Sequence, residues 1–147
     1  MGTLYNYDFK KTTDNLLDYC IYCTLSVAHN TGATVFKDDI RNNIISNIKN
    51  PYFAACILDD LKSKLAKEQK TLLLDKILKS DDLETIIKNH IFDKYIVKEI
   101  IKSNPSEIVL LEITKKYIKN DKDIKYYTSK LNKELIQSLL VFIKLEG

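Results

Sequence analysis

The chain has 147 residues and a formal net charge of +3, with 45% hydrophobic residues, 29% charged residues, three Gly and two Pro. That length makes one domain with room for a core that needs no covalent staples, and the apolar content excludes a disordered chain. So few Gly and Pro argue against a turn-rich sandwich and against a glycine-rich phosphate loop.

In chain order, residues 1–11 read as an irregular lead-in that Tyr5, Tyr7 and Phe9 would dock. A helix is expected from about Thr13 to His29, turning Leu16, Leu17, Cys20, Cys23 and Val27 inward, with Asn30-Thr31-Gly32 as its stop. The longest uncharged run, Tyr19 to Phe36, holds Ser, Thr, Asn and Gly and does not qualify as a membrane span. The start of the chain has no charged n-region, apolar h-region and cleavage site. The expected setting is intracellular, cytoplasmic or nuclear to nucleolar, with no membrane partner.

Lys37 to Lys49 reads as the next helix, with Asp38 and Asp39 in its first turn. Asn50-Pro51 pairs a cap with a first-turn proline and opens a helix from Tyr52 to Leu65. Lys67 to Lys79 follows, with Leu72, Leu73, Ile77 and Leu78 as its apolar face. Ser80 is the candidate cap of a short helix, Leu83 to Lys88, which breaks near Asn89-His90. From Phe92 to Ser103 the 3/4 spacing turns Phe92, Ile96, Val97, Ile100 and Ile101 inward, while Lys94, Lys98 and Lys102 form a basic stripe flanked by Tyr95. Asn104-Pro105 repeats the cap-and-proline device before a helix ending at Ile118. A short helix from Lys122 to Tyr127 and a last one from Ser129 to Leu145 complete the chain. No alternating strand pattern competes, and the fold class expected is all-α.

Shifting the Phe92 segment by 39 residues reproduces its pattern in both directions. Phe53-Ala54-Ala55-Cys56-Ile57-Leu58-Asp59 stands under Phe92-Asp93-Lys94-Tyr95-Ile96-Val97-Lys98, and Leu131-Asn132-Lys133-Glu134-Leu135-Ile136-Gln137 stands in the same register. A fixed period in this range is the mark of a helical-repeat solenoid, in which each unit buries its face on its neighbours. The organisation expected is one helical domain: residues 1–40 as lead-in with a degenerate first copy around Leu16-Leu17-Asp18, and residues 41–147 as repeats.

These segments resemble the second helix of a Pumilio (Puf) repeat: an aromatic, a Gly, two variable residues, two aliphatics, a Gln and further aliphatics. A looser likeness to HEAT-type helical repeats covers the same region, from Arg41 to the C-terminus. In the Puf family the two variable residues and the Gln face single-stranded RNA, one base per repeat. Carried over, those positions are Ala55, Cys56 and Asp59, then Lys94, Tyr95 and Lys98, then Lys133, Glu134 and Gln137. Tyr95 and Gln137 are typical of the family. The repeat Gly is replaced by Ala54, Asp93 and Asn132, and the copies are fewer than in sequence-specific members. The resemblance therefore implies the divergent kind that binds structured or ribosomal RNA with little sequence preference.

Charge fits such a partner. Between Lys115 and Lys133 lie seven Lys against Asp121 and Asp123, and Tyr126-Tyr127 interleave with Lys125 and Lys130 as base-stacking residues do beside phosphate contacts. The bland alternative is a solvated face with two tyrosines packed on the next helix. Only Arg41 among the 23 basic residues is Arg, so contacts would go to the phosphate backbone rather than to guanine edges. Cys20-x-x-Cys23, with Cys56, His29 and His90, completes no zinc spacing, and buried thiols are the better reading. Asp38-Asp39 and Asp81-Asp82 suit first turns of helices, which leaves Asp59-Asp60 alone mid-helix and too little for catalysis. No enzyme, metal or small-molecule cofactor is expected. The RNA-binding residues expected are Lys94, Tyr95, Lys98, Lys102, Lys133 and Gln137. The alternative function is a protein–protein interaction scaffold, either a helical repeat or a small helical-bundle regulator.

Overall fold

The computed structural model describes residues 42–146, save 44, 62 and 63. The predicted Thr13–His29 helix, the Cys20/Cys23 pair, His29 and Asp38-Asp39 lie outside the described residues. Residues 42, 43, 45 and 46 are helical and bury Ile45, and Ile48 follows into the core. Seven helices come after them: α1 (Pro51–Asp60), α2 (Lys67–Leu78), α3 (Leu83–Asn89), α4 (Lys94–Lys102), α5 (Glu107–Tyr117), α6 (Asp121–Tyr127) and α7 (Lys130–Glu146). No strand occurs among the described residues, and the fold is all-α.

Local chemistry sets most of these boundaries. Asn50 Oδ1 accepts the Tyr52 N–H at 2.8 Å with Pro51 in the first turn of α1, which satisfies one donor the helix cannot. Asp93, Ser106 and Asn120 cap α4, α5 and α6 in the same way, accepting from Ile96, Val109 and Asp123. At α2 the reach runs backwards: Gln69 Oε1 accepts the Ala66 N–H at 2.9 Å and is buried there.

Three expectations are corrected. Ser80 is not the cap of α3; Asp82 occupies that place, and Ser80 Oγ accepts the Asp82 N–H at 3.0 Å instead. Asn104 does not cap α5. Its φ of 59° puts it in the left-handed region just past α4, a conformation Asn tolerates and helix ends use. Ser106 then starts α5. The α1 helix closes at Asp60, not Leu65.

One contiguous apolar core runs through all the helices. α1 supplies six consecutive buried residues, Phe53 to Leu58, and packs against α2. Beyond it, α2 meets α3 and α4, α3 meets α5, α4 meets α6, and α7 rests on α5 and α6. Every substantial pairing thus joins helices one or two places apart in the chain. Side chains tie neighbouring elements further: Lys70 Nζ to Asp93 at 2.5 Å joins α2 to the cap of α4, and Tyr52 OH donates to Asp82. The Lys116 ammonium donates to the Ile87 carbonyl at 2.7 Å and to that of His90, closing the C-terminal end of α3, where cations suit the helix dipole.

Candidate nucleic-acid interface

The strong amphipathicity of α4 settles its orientation. Ile96, Val97, Ile100 and Ile101 are buried, so Lys94, one helical turn from Lys98, faces out. α6 packs beside this helix because Ile124 and Tyr127 enter the core. Tyr126, next in sequence to a buried tyrosine, is pushed outward and stays 51% exposed. Its ring collects the basic stripe: Lys98 Nζ lies 5.1 Å and Lys94 Nζ 5.6 Å from the centroid. That is within cation–π range. Tyr127 braces the same ring edge-on, at 5.1 Å and 89°, and burial beside Asp123 raises its phenol above the usual range. Among the described residues neither Lys94 nor Lys98 has a carboxylate partner. Lys122, exposed and one turn before Tyr126 on α6, shares the face.

The other expected residues are placed differently. Tyr95 is half-buried and turned to α2, with its hydroxyl 3.3 Å from Thr71 Oγ1 and Lys67 Nζ 5.3 Å from its ring. Lys102 pairs loosely with Glu99 at 3.8 Å. Lys133 and Gln137 sit on the polar side of α7. Gln137 lines a pocket of about 240 Å³ with Asp121, Ile124, Leu140, Val141 and Lys144. α6 lies against both α4 and α7, so the structure joins Lys94 and Lys98 to Tyr126, and Gln137 to the α6–α7 groove. The carried-over positions on α1 are placed in the core or in structural contacts: Ala55 and Cys56 are fully buried, and Asp59 accepts from the Ile91 N–H and pairs with His90.

Of the seven lysines between 115 and 133, three have structural work. Lys115 pairs with Glu112, Lys116 closes α3, and Lys119 donates to the Lys115 carbonyl. Lys122, Lys125, Lys130 and Lys133 remain exposed.

The structure also assembles a polar cluster that the sequence spacing hides. His90, buried between α3 and α4, has Nδ1 3.3 Å from Asp59 Oδ2 on α1 and stacks on Phe92 at 6.1 Å. Tyr117 OH accepts the Phe92 N–H at 3.0 Å. Burial depresses the His90 pKa, with Lys116 adding to it, against the opposing pull of Asp59 and Asp60. Cys56 carries no nucleophile, because burial and the charges of Asp60 and Asp59 push its thiol up to about 12. The Asp59–His90 pair pins α1 to the α3–α4 corner. Among the described residues no cluster of three or more His, Cys, Asp or Glu could hold a metal ion, and no helix is long and apolar enough to cross a membrane.

Comparison with known proteins finds no matching family model, no matching curated protein and no matching solved structure.

Proposed function

We propose that the protein is a non-catalytic RNA-binding module of stacked helical units, of the Puf-like or HEAT-like kind. Its partner is ribosomal or other single-stranded RNA, met in the cytoplasm or the nucleus and nucleolus. The observation that carries this reading is the convergence of the Lys94 and Lys98 ammoniums on the half-exposed ring of Tyr126. Two cations without carboxylate partners among the described residues hold phosphates, and an aromatic face between them accepts an unpaired base as the lysines swing to the backbone. The stacking part of the proposal draws support from the helix pairings, none of the substantial ones reaching beyond the next-but-one helix.

Lysines bind phosphate as point charges, so affinity is nearly indifferent to base sequence and falls with salt. Fluorescence anisotropy with unrelated labelled RNA strands at several salt concentrations tests this. The Lys94→Glu, Lys98→Glu protein retains its circular dichroism, loses affinity and shows a salt slope smaller by about 1.4, at about 0.7 for each phosphate no longer neutralised. A control pair at Lys10 and Lys11 leaves binding unchanged. Binding that is unaffected by the central pair, or affinity independent of salt, refutes the proposal.

A further inference from the structure

The pocket of about 240 Å³ between α6 and α7 lies on the flank of α6 opposite the one that carries Tyr126. Its floor is apolar, made by the buried Ile124 and Leu140, with the exposed Val141 as a wall. Three polar side chains stand on its rim, Asp121 from α6 and Gln137 and Lys144 from α7. Among the described residues Asp121 and Lys144 form no ion pair, with each other or with a neighbour, and the Gln137 side chain has no hydrogen-bond partner. An acceptor-only carboxylate, a donor-only ammonium and an amide that does both thus face one small apolar pocket. The helix dipole suits a carboxylate at Asp121, but it accounts for neither the pocket nor the unpaired Lys144.

The outer surface of α6 joins this pocket to Tyr126. At about 100° per residue, Lys125, Lys122 and Tyr126 follow Asp121 around the helix at about 40°, about 100° and about 140°. Both lysines are exposed and without a carboxylate partner among the described residues. Asp123, the other acid of α6, lies beyond Tyr126 at about 200° and accepts the Lys119 N–H. From Asp121 to Tyr126 the surface runs about 13 Å around the helix and about 8 Å along it. A short extended strand with its phosphates on Lys125 and Lys122 covers that distance.

We infer that the α6–α7 pocket seats a second base of the strand whose first base stacks on Tyr126, and that the base it favours is guanine. The inference rests on the RNA-binding reading and adds a seat and a preference to it. The pocket is smaller than those that take drug-sized ligands and suits one flat base against the Ile124–Leu140 floor. On its Watson–Crick edge guanine offers two adjacent donors, N1–H and the N2 amino group, which one carboxylate accepts together. Beside them is the O6 acceptor, which an ammonium or amide N–H completes. Uracil sets one donor between two acceptors, and cytosine and adenine set one amino group beside acceptors, so each leaves a carboxylate oxygen without a donor or facing an acceptor. A carboxylate also repels phosphate, so at Asp121 the strand presents a base rather than its backbone. The rim is exposed, which holds the preference to about fivefold, the low end for a two-point base contact. Phosphate contacts still supply most of the affinity.

Fluorescence anisotropy of the full chain with two labelled strands tests this: an oligouridine of about ten nucleotides, and the same strand with one central guanine. The guanine strand binds about fivefold more tightly. Asp121→Asn replaces one acceptor with a donor and brings the two affinities together, while binding of oligouridine holds or strengthens as a negative charge is lost. Val141→Trp, altered at an exposed wall of the pocket, fills it and removes the preference as well. Both variants keep the thermal midpoint of the wild type. The Lys94→Glu, Lys98→Glu protein behaves in the reverse way, weakening both strands and keeping their ratio. Lys122→Ala with Lys125→Ala lowers the salt slope for both strands by about 1.4, at about 0.7 for each phosphate. Equal affinity of the wild type for the two strands, or a preference that survives Asp121→Asn or Val141→Trp, overturns the inference and leaves the RNA-binding reading standing. Failure of both strands to bind overturns the two together.

Discussion

α1 and α7 carry the same apolar register in sequence and are used in opposite ways. In α1 six successive residues are buried and the helix is enclosed. In α7 only one side is buried, and the residue aligned with Phe53 and Phe92 is Leu131, the most exposed of the large apolar residues among those described. The register itself explains part of the difference. α1 starts two residues before its Phe, α4 two residues after its Phe, and α7 one residue before its Leu, so aligned positions fall at different places in their helices. The residues standing for the repeat glycine show the consequence: Ala54 packs in the core, Asp93 caps α4, and Asn132 donates from Nδ2 to the Ile101 carbonyl at 2.9 Å. A shared pattern of apolar spacing thus specifies an inward side, and the neighbours decide how many sides are inward.

The comparison is broken most sharply by truncating both ends of the alignment. Phe53→Ala is expected to cost about 3–5 kcal/mol through the cavity it leaves, whereas Leu131→Ala costs about 0.5 kcal/mol or less because its side chain is already in water. Urea unfolding of the two variants measures this, and comparable losses would show that α7 is enclosed as α1 is. Next in size is Asn132→Ala on α7. It removes the amide that satisfies a buried carbonyl at the end of α4, at an expected cost of about 1–3 kcal/mol. An Asn132→Ala protein as stable as wild type would mean that α7 is held by its apolar contacts alone.

The smallest expected effect belongs to the corner that fastens α1. Burial holds the His90 pKa below its ordinary 6.5, so the unfolded chain binds the proton more readily than the folded one. The sign follows: the stability is complete above about pH 6.5 and declines as the pH falls from there towards the folded-state value. The urea midpoint should drop between pH 7.5 and 5.5 in wild type. It should change less in His90→Gln. The groups facing His90 are Asp59 and Asp60 from α1 and Lys116 from α5, and a midpoint independent of pH over that range would mean the imidazole is already solvated.

Much of the fold was legible in the amino-acid order. The seven helices from Pro51 onward were expected within a few residues at either end, because apolar spacing and signals such as Asn50-Pro51 act locally; Asp93, Ser106 and Asn120 were not read as caps, although their hydrogen bonds also close within three residues. The inward side of α4 was equally clear, since Ile96, Val97, Ile100 and Ile101 leave one orientation. The errors were local competitions: Asn104 chose a left-handed turn over a cap, and Ser80 gave the cap position to Asp82.

The candidate site was legible only in parts. The lysine stripe on α4 and the Tyr126-Tyr127 pair were each visible as separate features, but nothing in their spacing joins them. Their meeting depends on α6 packing beside α4, as the Asp59–His90 pair depends on α1 reaching the α3–α4 corner. Hydrophobic period and capping act over one or two helical turns, so sequence alone determined which helices form and which side of each turns inward. Which two helices then share a face, and whether Ala55 ends in the core or Leu131 in water, was decided by the competition of all apolar faces for burial. That competition is settled only when the whole chain packs.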